Sequence, residues 1–326
     1  MPRILLVFLF LTCLHASAET FNLEAGALIQ ETIAQAQAGD TIVLEAGEYL
    51  GDIDFLAKAI TIRGVGENTV LKGTGEKPVV SFTGGELNTS ILELVTITGA
   101  QEQEAISIEN SSPIISSCKI IRNKSNSQAS GIAITGQAQG EVAIVRNNIL
   151  ALNKALDRAN DPHQIHIANA SPVIENNTIV RGDSNGIFVT GNSSPIIVNN
   201  ILAFNGRGSR GRGICLVALS QESNTDINHN LFFRNRKADI LVNGADFKNI
   251  ETAQLEETNL LTLTSNIHSN PRFRKLRKVT NLTLKNRSPA IEAGNPAEAF
   301  NDKDTSRNDI GFTGGKNSNF SSITLF

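Results

Sequence analysis

Residues 171–205 read SPVIENNTIVRGDSNGIFVTGNSSPIIVNNILAFN. The phrase Ser171-Pro172-Val173-Ile174-Glu175-Asn176-Asn177-Thr178-Ile179 returns, beginning at Ser194, as Ser194-Pro195-Ile196-Ile197-Val198-Asn199-Asn200-Ile201-Leu202. Between the copies Gly186-Ile187-Phe188-Val189 supplies another short apolar alternation. A unit of two or three short strands with asparagine at the corner cannot bury its apolar face alone, so it must stack on its neighbours. The reading is an all-β fold: one coil of a right-handed parallel β-helix, repeated along the chain as a single domain.

Working outward, equivalent places are held by Val95, Cys118, Asn148, Asn177, Asn200 and Asn230, and five residues on by Asn123, Asn153, Asn205 and Asn235. Stacked asparagines tolerate αL geometry and hydrogen-bond along the stack, so both columns are read as structural. A third column is made of Ile106-Ser107-Ile108, Ile132-Ala133-Ile134, Ile165-His166-Ile167, Ile187-Phe188-Val189, Ile214-Cys215-Leu216 and Ile240-Leu241-Val242. Strand alternation turns the middle residues outward, giving a stripe Ser107, Ala133, His166, Phe188, Cys215, Leu241 without a carboxylate.

The N-terminus carries Arg3, an apolar run Ile4–Leu14 and Ala16-Ser17-Ala18, the pattern of a secretory signal peptide over 1–18. The expected product is exported to the periplasm or beyond. Ala25–Ala38, with Leu28, Ile29 and Ile33 at helical spacing, predicts a helix that caps the N-terminal end of the stack. The coils are expected over 19–245 and a C-terminal capping segment and tail over 246–326. No later run is long and apolar enough to span a membrane. With 40% hydrophobic and 19% charged residues and a net charge of -3, the chain has ample core and no basic field for nucleic acid. Cys118 and Cys215 fall on coils several steps of about 4.8 Å apart, so two packed free thiols are expected rather than a disulfide. Oligomeric state is left open.

The order helix, Gly39-Asp40-Thr41-Ile42-Val43-Leu44, Gly47-Glu48-Tyr49, Ile60-Thr61-Ile62-Arg63-Gly64 resembles the opening of secreted β-helix proteins of the pectate-lyase-like superfamily. Asn270-Pro271-Arg272-Phe273, Ser288-Pro289-Ala290-Ile291-Glu292-Ala293-Gly294 and Asp309-Ile310-Gly311-Phe312 are similar to the closing segment of many bacterial members. The resemblance implies a polysaccharide partner, and it spans lyases, glycosidases, epimerases and proteins of no known activity, so the fold does not choose among them. The lyases imply an aspartate cluster holding calcium, which the strands here lack. Glycosidases need two carboxylates about 5 to 10 Å apart, and the outward stripe supplies none.

Asp161-Pro162-His163 is similar to the catalytic motif of mannuronan epimerases. It stands just before the expected strand Gln164–Ile167, and Arg158 occupies the place of their aromatic proton donor. The resemblance implies His163 or His166 as base, Arg158 or Arg181 as neutraliser of the sugar carboxylate, and Asp161 as orienting partner. A surface turn is the plainer reading of the same residues. Asp302, Asp304 and Asp309 present oxygen at alternating positions, either a calcium loop or a turn with Asx hydrogen bonds. Gly206–Gly213, with Arg207, Arg210 and Arg212, and the basic run Arg272–Lys278 are either solvated surface or contacts for an acidic partner. With no tryptophan and one tyrosine, Tyr49, the chain has few rings for sugar stacking. The leading expectation is a secreted protein engaging polysaccharide, a degenerate relative of uronate lyases or epimerases. The other is a non-catalytic structural or adhesion module that binds another protein.

Overall fold

The computed structural model describes residues 17–66, 68–136, 140–157, 161–206, 211–253, 261–276 and 281–319. Most of the leader read at 1–18, together with Arg158, therefore lies outside the described residues. Among those described, the chain winds as a right-handed parallel β-helix through three long sheets. Sheet A has ten strands, from Thr20–Leu23 to Leu261–Thr264; sheet B has nine, from Gly47–Leu50 to Ile267–His268; sheet C has nine, from Ile53–Asp54 to Ala245–Phe247. Each coil visits A, B and C in turn and lies in register on the next: Ile115 on Val145, Ile120 on Leu150, Ile134 on Ile167. The inward aliphatics fuse into one continuous buried cluster from Ile29 to Leu263.

The N-terminal helix α1 spans Ile29–Gln35, shorter than the expected 25–38, with Ile29 and Ile33 buried. Leu28 precedes it and is 54% exposed. Two interactions stop the helix early. Asp40 accepts from the Gln37 amide at 2.7 Å, and the Lys58 ammonium donates to the carbonyls of Ile33, Ala34 and Ala36 at 2.6 to 2.7 Å. A cation on the last free carbonyls is a favourable helix end. At the other end, helix α2, Ile250–Ala253, buries Ile250 and Ala253 on the core.

The asparagine ladder runs from Asn148 through Asn177, Asn200 and Asn230 and continues to Asn266. From Asn177 on, each side-chain oxygen takes both the amide and the carboxamide of the asparagine in the preceding coil, at 2.8 to 3.0 Å. The expected αL geometry falls one residue earlier, on Asn147, Asn176, Asn199 and His229 (φ 51 to 58°). That placement frees each ladder asparagine to point inward while its predecessor points out.

The second ladder is interrupted where Gly182 replaces an asparagine. Gln164 fills the gap from the neighbouring strand: it accepts from Asn153 at 3.1 Å and donates to Asn205 at 2.8 Å. A Cβ at 182 would lie 2.6 Å from Gln164 Cγ, so glycine is what admits the bridge.

Residues 288–318 lie along the outer face of sheet B. Ala290, Ile310 and Phe312 pack with outward Ile149, Ala151, Val180, Ile201, Ala203 and Leu231 in a second buried cluster. The αL asparagines fasten this strap. Asn147 donates to the carbonyls of Phe312 and Gly314, and Asn176 to Asn308 Oδ1 and the carbonyls of Asp309 and Gly311. Asn199 accepts from the amides of Gly311 and Asn295. Gly311 (φ 106°) passes so close to Ile201 that a Cβ would sit 2.7 Å from its Cδ1.

Candidate functional site

The outer face of sheet C is where titratable groups gather. His166, Phe188, Cys215 and Leu241 follow one another in register on its strands, as the outward stripe requires. Strict alternation fails just upstream. Gln164, 1% exposed, and Ile165 both point inward, the first to bridge the second ladder. The break turns His163 outward beside His166. The strand starts at His163, so the histidine of Asp161-Pro162-His163 lies in the strand while the aspartate and proline precede it.

Three rings form a stack on this face. His163 and Phe188 lie 4.3 Å apart at 10°, His166 and Phe188 5.5 Å at 19°, and the two imidazoles 5.9 Å at 26°. Phe188 is partly exposed and both histidines are buried. His163 Nδ1 meets Asn185 Nδ2 at 3.2 Å and Ser184 Oγ at 3.1 Å. The Asn185 oxygen is committed to the Arg212 amide at 2.8 Å, so its nitrogen must donate to His163. That assigns Nδ1 as acceptor and puts the proton on Nε2. Burial, then the neighbouring His166, holds the His163 pKa down to about 3. Burial also lowers that of His166, with Glu104 opposing. Both rings are neutral at pH 7. Among the described residues, no hydrogen-bond partner contacts the ring nitrogens of His166.

Charge flanks the rings on both sides. Glu104 is buried and accepts from Ser127 Oγ at 2.6 Å. Two coils beyond His166, the Arg212 guanidinium is forked onto Asp246, which Lys237 Nζ also reaches at 2.9 Å. Asp246 is held below the usual carboxylate range by Arg212 first and Lys237 next. Burial works against the Arg212 charge, but Asp246, together with Cys215 and Asp161, more than offsets it. Cys215 lies 3.9 Å from Arg212 Nη1, and burial raises its pKa against the pull of that guanidinium. Cys118 is pushed up to about 12 by burial, and both thiols are free, as expected. Beyond Cys215 the face opens into a groove of about 610 Å³ lined by Val217, Leu219, Leu241, Val242 and Leu261, among others.

Asp161 is exposed and close enough to act electrostatically on Arg212 and Cys215. It thus shares the face with His163 and His166. Arg181 does not: with φ 57° it stands in the αL column of Leu152 and Phe204, which pack toward the strap over sheet B. Asp302, Asp304 and Asp309 lie in the strap, and their carboxylates are turned onto chain amides. Asp302 accepts from Asp309 and Gly315, Asp304 from Ser306, and Asp309 from Glu292. Among the described residues no group of three or more His, Cys, Asp or Glu side chains is arranged to hold a metal ion. In the basic run, Phe273 is buried and Arg274 and Lys275 are exposed; its last residues fall outside the described set.

Sequence reasoning missed Glu104, Arg212, Lys237 and Asp246 as members of this face. Arg212, read within Gly206–Gly213 as solvated surface or a contact for an acidic partner, opens the strand Arg212–Leu219 and lies in register with Ala238. A signal was present, since Glu104, His163, Asn185 and Arg212 each stand two residues before an inward isoleucine.

Residues 87–254 match the family model described as "Right handed beta helix region". The chain belongs to that family. Among solved structures, this right-handed β-helix protein is similar to pectate lyase Pel9A, with a TM-score of 0.51, 12% identity, and 91% of this chain and 96% of the other covered. An alginate lyase from Paenibacillus sp. str. FPU-7 aligns with a TM-score of 0.45 and 17% identity, covering 77% of this chain and 98% of the lyase. No curated protein matches the chain. At such identities the likeness concerns the fold alone.

Proposed function

We propose that the protein engages an acidic polysaccharide along the outer face of sheet C, as a degenerate relative of the uronate lyases and epimerases. The observation that carries this reading is the near-parallel stack of His163, Phe188 and His166 between Glu104 and the Arg212–Asp246–Lys237 group. Phe188, the one partly exposed ring of the three, offers apolar surface to a sugar, which tryptophan or tyrosine would otherwise provide. Lys237, with 44% of its side chain exposed, supplies positive charge at the rim for a uronate carboxylate. Pel9A is named a pectate lyase, and its shared fold agrees with this partner class.

Among the two histidines the geometry favours His166 for any proton transfer. His163 Nδ1 is occupied by Asn185 and Ser184, and a group held near pKa 3 is a weak base. Arg212 and Lys237 both reach Asp246, so neutralisation of a sugar carboxylate would fall to Lys237, the more exposed of the two, or to Arg158. The reading goes with export, to the periplasm or outside the cell, through the leader expected at 1–18.

The test is affinity electrophoresis in gels containing polygalacturonate, alginate or a neutral glucan. Retardation by a uronate polymer, lost in Phe188→Ala, is the expected result; equal mobility in all gels overturns the reading. Double-bond absorbance and ring-proton exchange in the same mixtures, with His166→Ala as control, separate binding from turnover. The alternative, a structural or adhesion module binding protein, is favoured by one observation, the row of outward aliphatics Ile91, Ile114, Ile144, Val173 and Ile196 in register on sheet A.

A further inference from the structure

Where the strap crosses the corner between sheets A and B it leaves a pocket of about 230 Å³, lined by Asn147, Glu175, Phe300, Asn308, Lys316 and Asn317, among others. The coil supplies Glu175, the last residue of the sheet A strand Val173–Glu175, and the αL asparagines Asn147 and Asn176 that turn the chain onto sheet B. The strap supplies the remaining walls.

The pocket holds more open acceptors than donors. Asn147 commits its amide hydrogens to the carbonyls of Phe312 and Gly314, which leaves its Oδ1. Asn308 is committed to Asn176 and to the Phe300 carbonyl, and only holds the wall. Among the described residues no donor reaches the Glu175 carboxylate or Asn147 Oδ1, and Lys316 Nζ and the Asn317 carboxamide have no partner. A half-buried carboxylate without a donor is a costly group. Burial raises the Glu175 pKa against the pull of Arg146 and Lys316, although neither forms an ion pair with it.

Charge and hydrogen bonding together select the ligand. Arg146 and Lys316 act on Glu175, while Asp302, behind Gly315, is committed to the amides of Asp309 and Gly315. The neighbourhood is close to neutral, so a metal ion or an ammonium gains little there. What Glu175 lacks is a donor that brings no positive charge, and a hydroxyl is that donor. Two adjacent ring hydroxyls can donate to the two oxygens of one carboxylate, and their own oxygens can accept from Lys316 and Asn317. Phe300 is half-buried, belongs to neither core cluster, and offers apolar surface for ring carbons. The volume lies below the range of about 300 to 1,000 Å³ usual for drug-sized ligands, which suits one ring. We propose that the pocket between the strap and the corner of sheets A and B binds a single sugar ring through adjacent free hydroxyls, with Glu175 as the principal acceptor. The site is separate from the face of sheet C and independent of the reading given for it.

Because coil and strap both form its walls, a bound ring ties one to the other and stabilises the strap by mass action. The test is hydrogen exchange by mass spectrometry, with and without the methyl glycosides of glucose, galactose, mannose, rhamnose and galacturonic acid. At least one glycoside should slow exchange across 288–318, by roughly tenfold at about ten times its dissociation constant. Tetrahydropyran, a ring without hydroxyls, should not. Glu175→Gln keeps the side chain's shape but removes its charge, and should weaken binding by about tenfold or more, measured against its own ligand-free exchange. Asn317→Ala, at the edge of the strap, should weaken it less and keeps the test open if Glu175→Gln does not fold. Unchanged exchange with every glycoside overturns the proposal. Protection that appears at 163–168 instead of 288–318, or that persists at full strength in the folded variants, overturns it as well.

Discussion

The outer faces of sheets B and C are wound from the same coils, yet the chain treats them oppositely. On sheet B the outward residues are aliphatic and the strap 288–318 covers them, with Ile310 and Phe312 pressed onto Ile149, Val180 and Ile201. On sheet C the outward residues include His163, His166, Phe188 and Cys215, and among the described residues no such segment lies over them. The solenoid itself is indifferent to which face is used; what differs is where the sequence places polar and aromatic groups. Sheet A is the intermediate case, with outward aliphatics like B but, among the described residues, without a strap over them.

Both faces hang on the asparagine ladder, so the largest effect comes from cutting it. Asn177 Oδ1 takes the amide and carboxamide of Asn148, and Asn177 Nδ2 serves the Val145 carbonyl and Asn200. Asn177→Ala leaves several fully buried polar groups unpaired. At about 1 to 3 kcal/mol for each, the loss should exceed about 3 kcal/mol. Urea denaturation should show both faces unfolding together at a lower midpoint; an unchanged midpoint would mean that the ladder is not the common spine.

The next variants separate the faces. Phe312→Ala removes a buried ring from the strap and should cost roughly 2 to 4 kcal/mol of local stability. Asn176→Gly keeps the αL backbone while deleting the three bonds that Asn176 Nδ2 makes to the strap. In hydrogen exchange by mass spectrometry, both should speed exchange across 288–318 and leave the strand His163–Ala168 protected. Gly182→Ala should do the reverse at smaller cost, about 1 to 3 kcal/mol, by pushing on Gln164 and so disturbing its neighbour His163. If Gly182→Ala loosens the strap equally, the two faces are not independent.

The parts of this arrangement readable in the sequence are those written by repetition. Inward aliphatics, ladder asparagines and the outward stripe recur coil after coil, and the structure puts each of them where the repeat requires. The strap was visible only as a change of pattern. Its position depends on Asn147, Asn176 and Asn199, the first member of each asparagine pair, whose outward turn follows from a positive φ that composition does not reveal. The candidate site was half legible for a related reason. His166, Phe188 and Cys215 obey alternation, whereas His163 and Arg212 lie at a bend where alternation breaks, and Asp246 arrives from the hairpin pairing Ala238–Val242 with Ala245–Phe247. Gln164 is the residue to have questioned, since a glutamine beside a column gap at Gly182 has a place to go.

The finest test sets the two faces against each other with protons. On sheet C, burial depresses the pKa values of His163, to about 3, and of His166. An imidazole with a folded pKa below its unfolded value adds stability above about pH 6.5, and that stability is lost as pH falls toward the folded value. On the strap, burial, aided by nearby Asp302 and Glu292, raises Asp309 to about 6, and Asp302 is raised by burial too. A carboxyl with a raised folded pKa opposes folding while ionised, so its penalty is relieved as pH falls from above 6 toward 3.8. Between pH 7 and pH 5 the face of sheet C should therefore weaken while the strap tightens. Exchange rates corrected for intrinsic pH dependence should move in opposite directions for 163–168 and 288–318, and Asp309→Asn should weaken the strap's response while leaving that of 163–168 unchanged. Parallel movement of the two segments would show that a shared opening of the coil, rather than local burial of these groups, governs both faces.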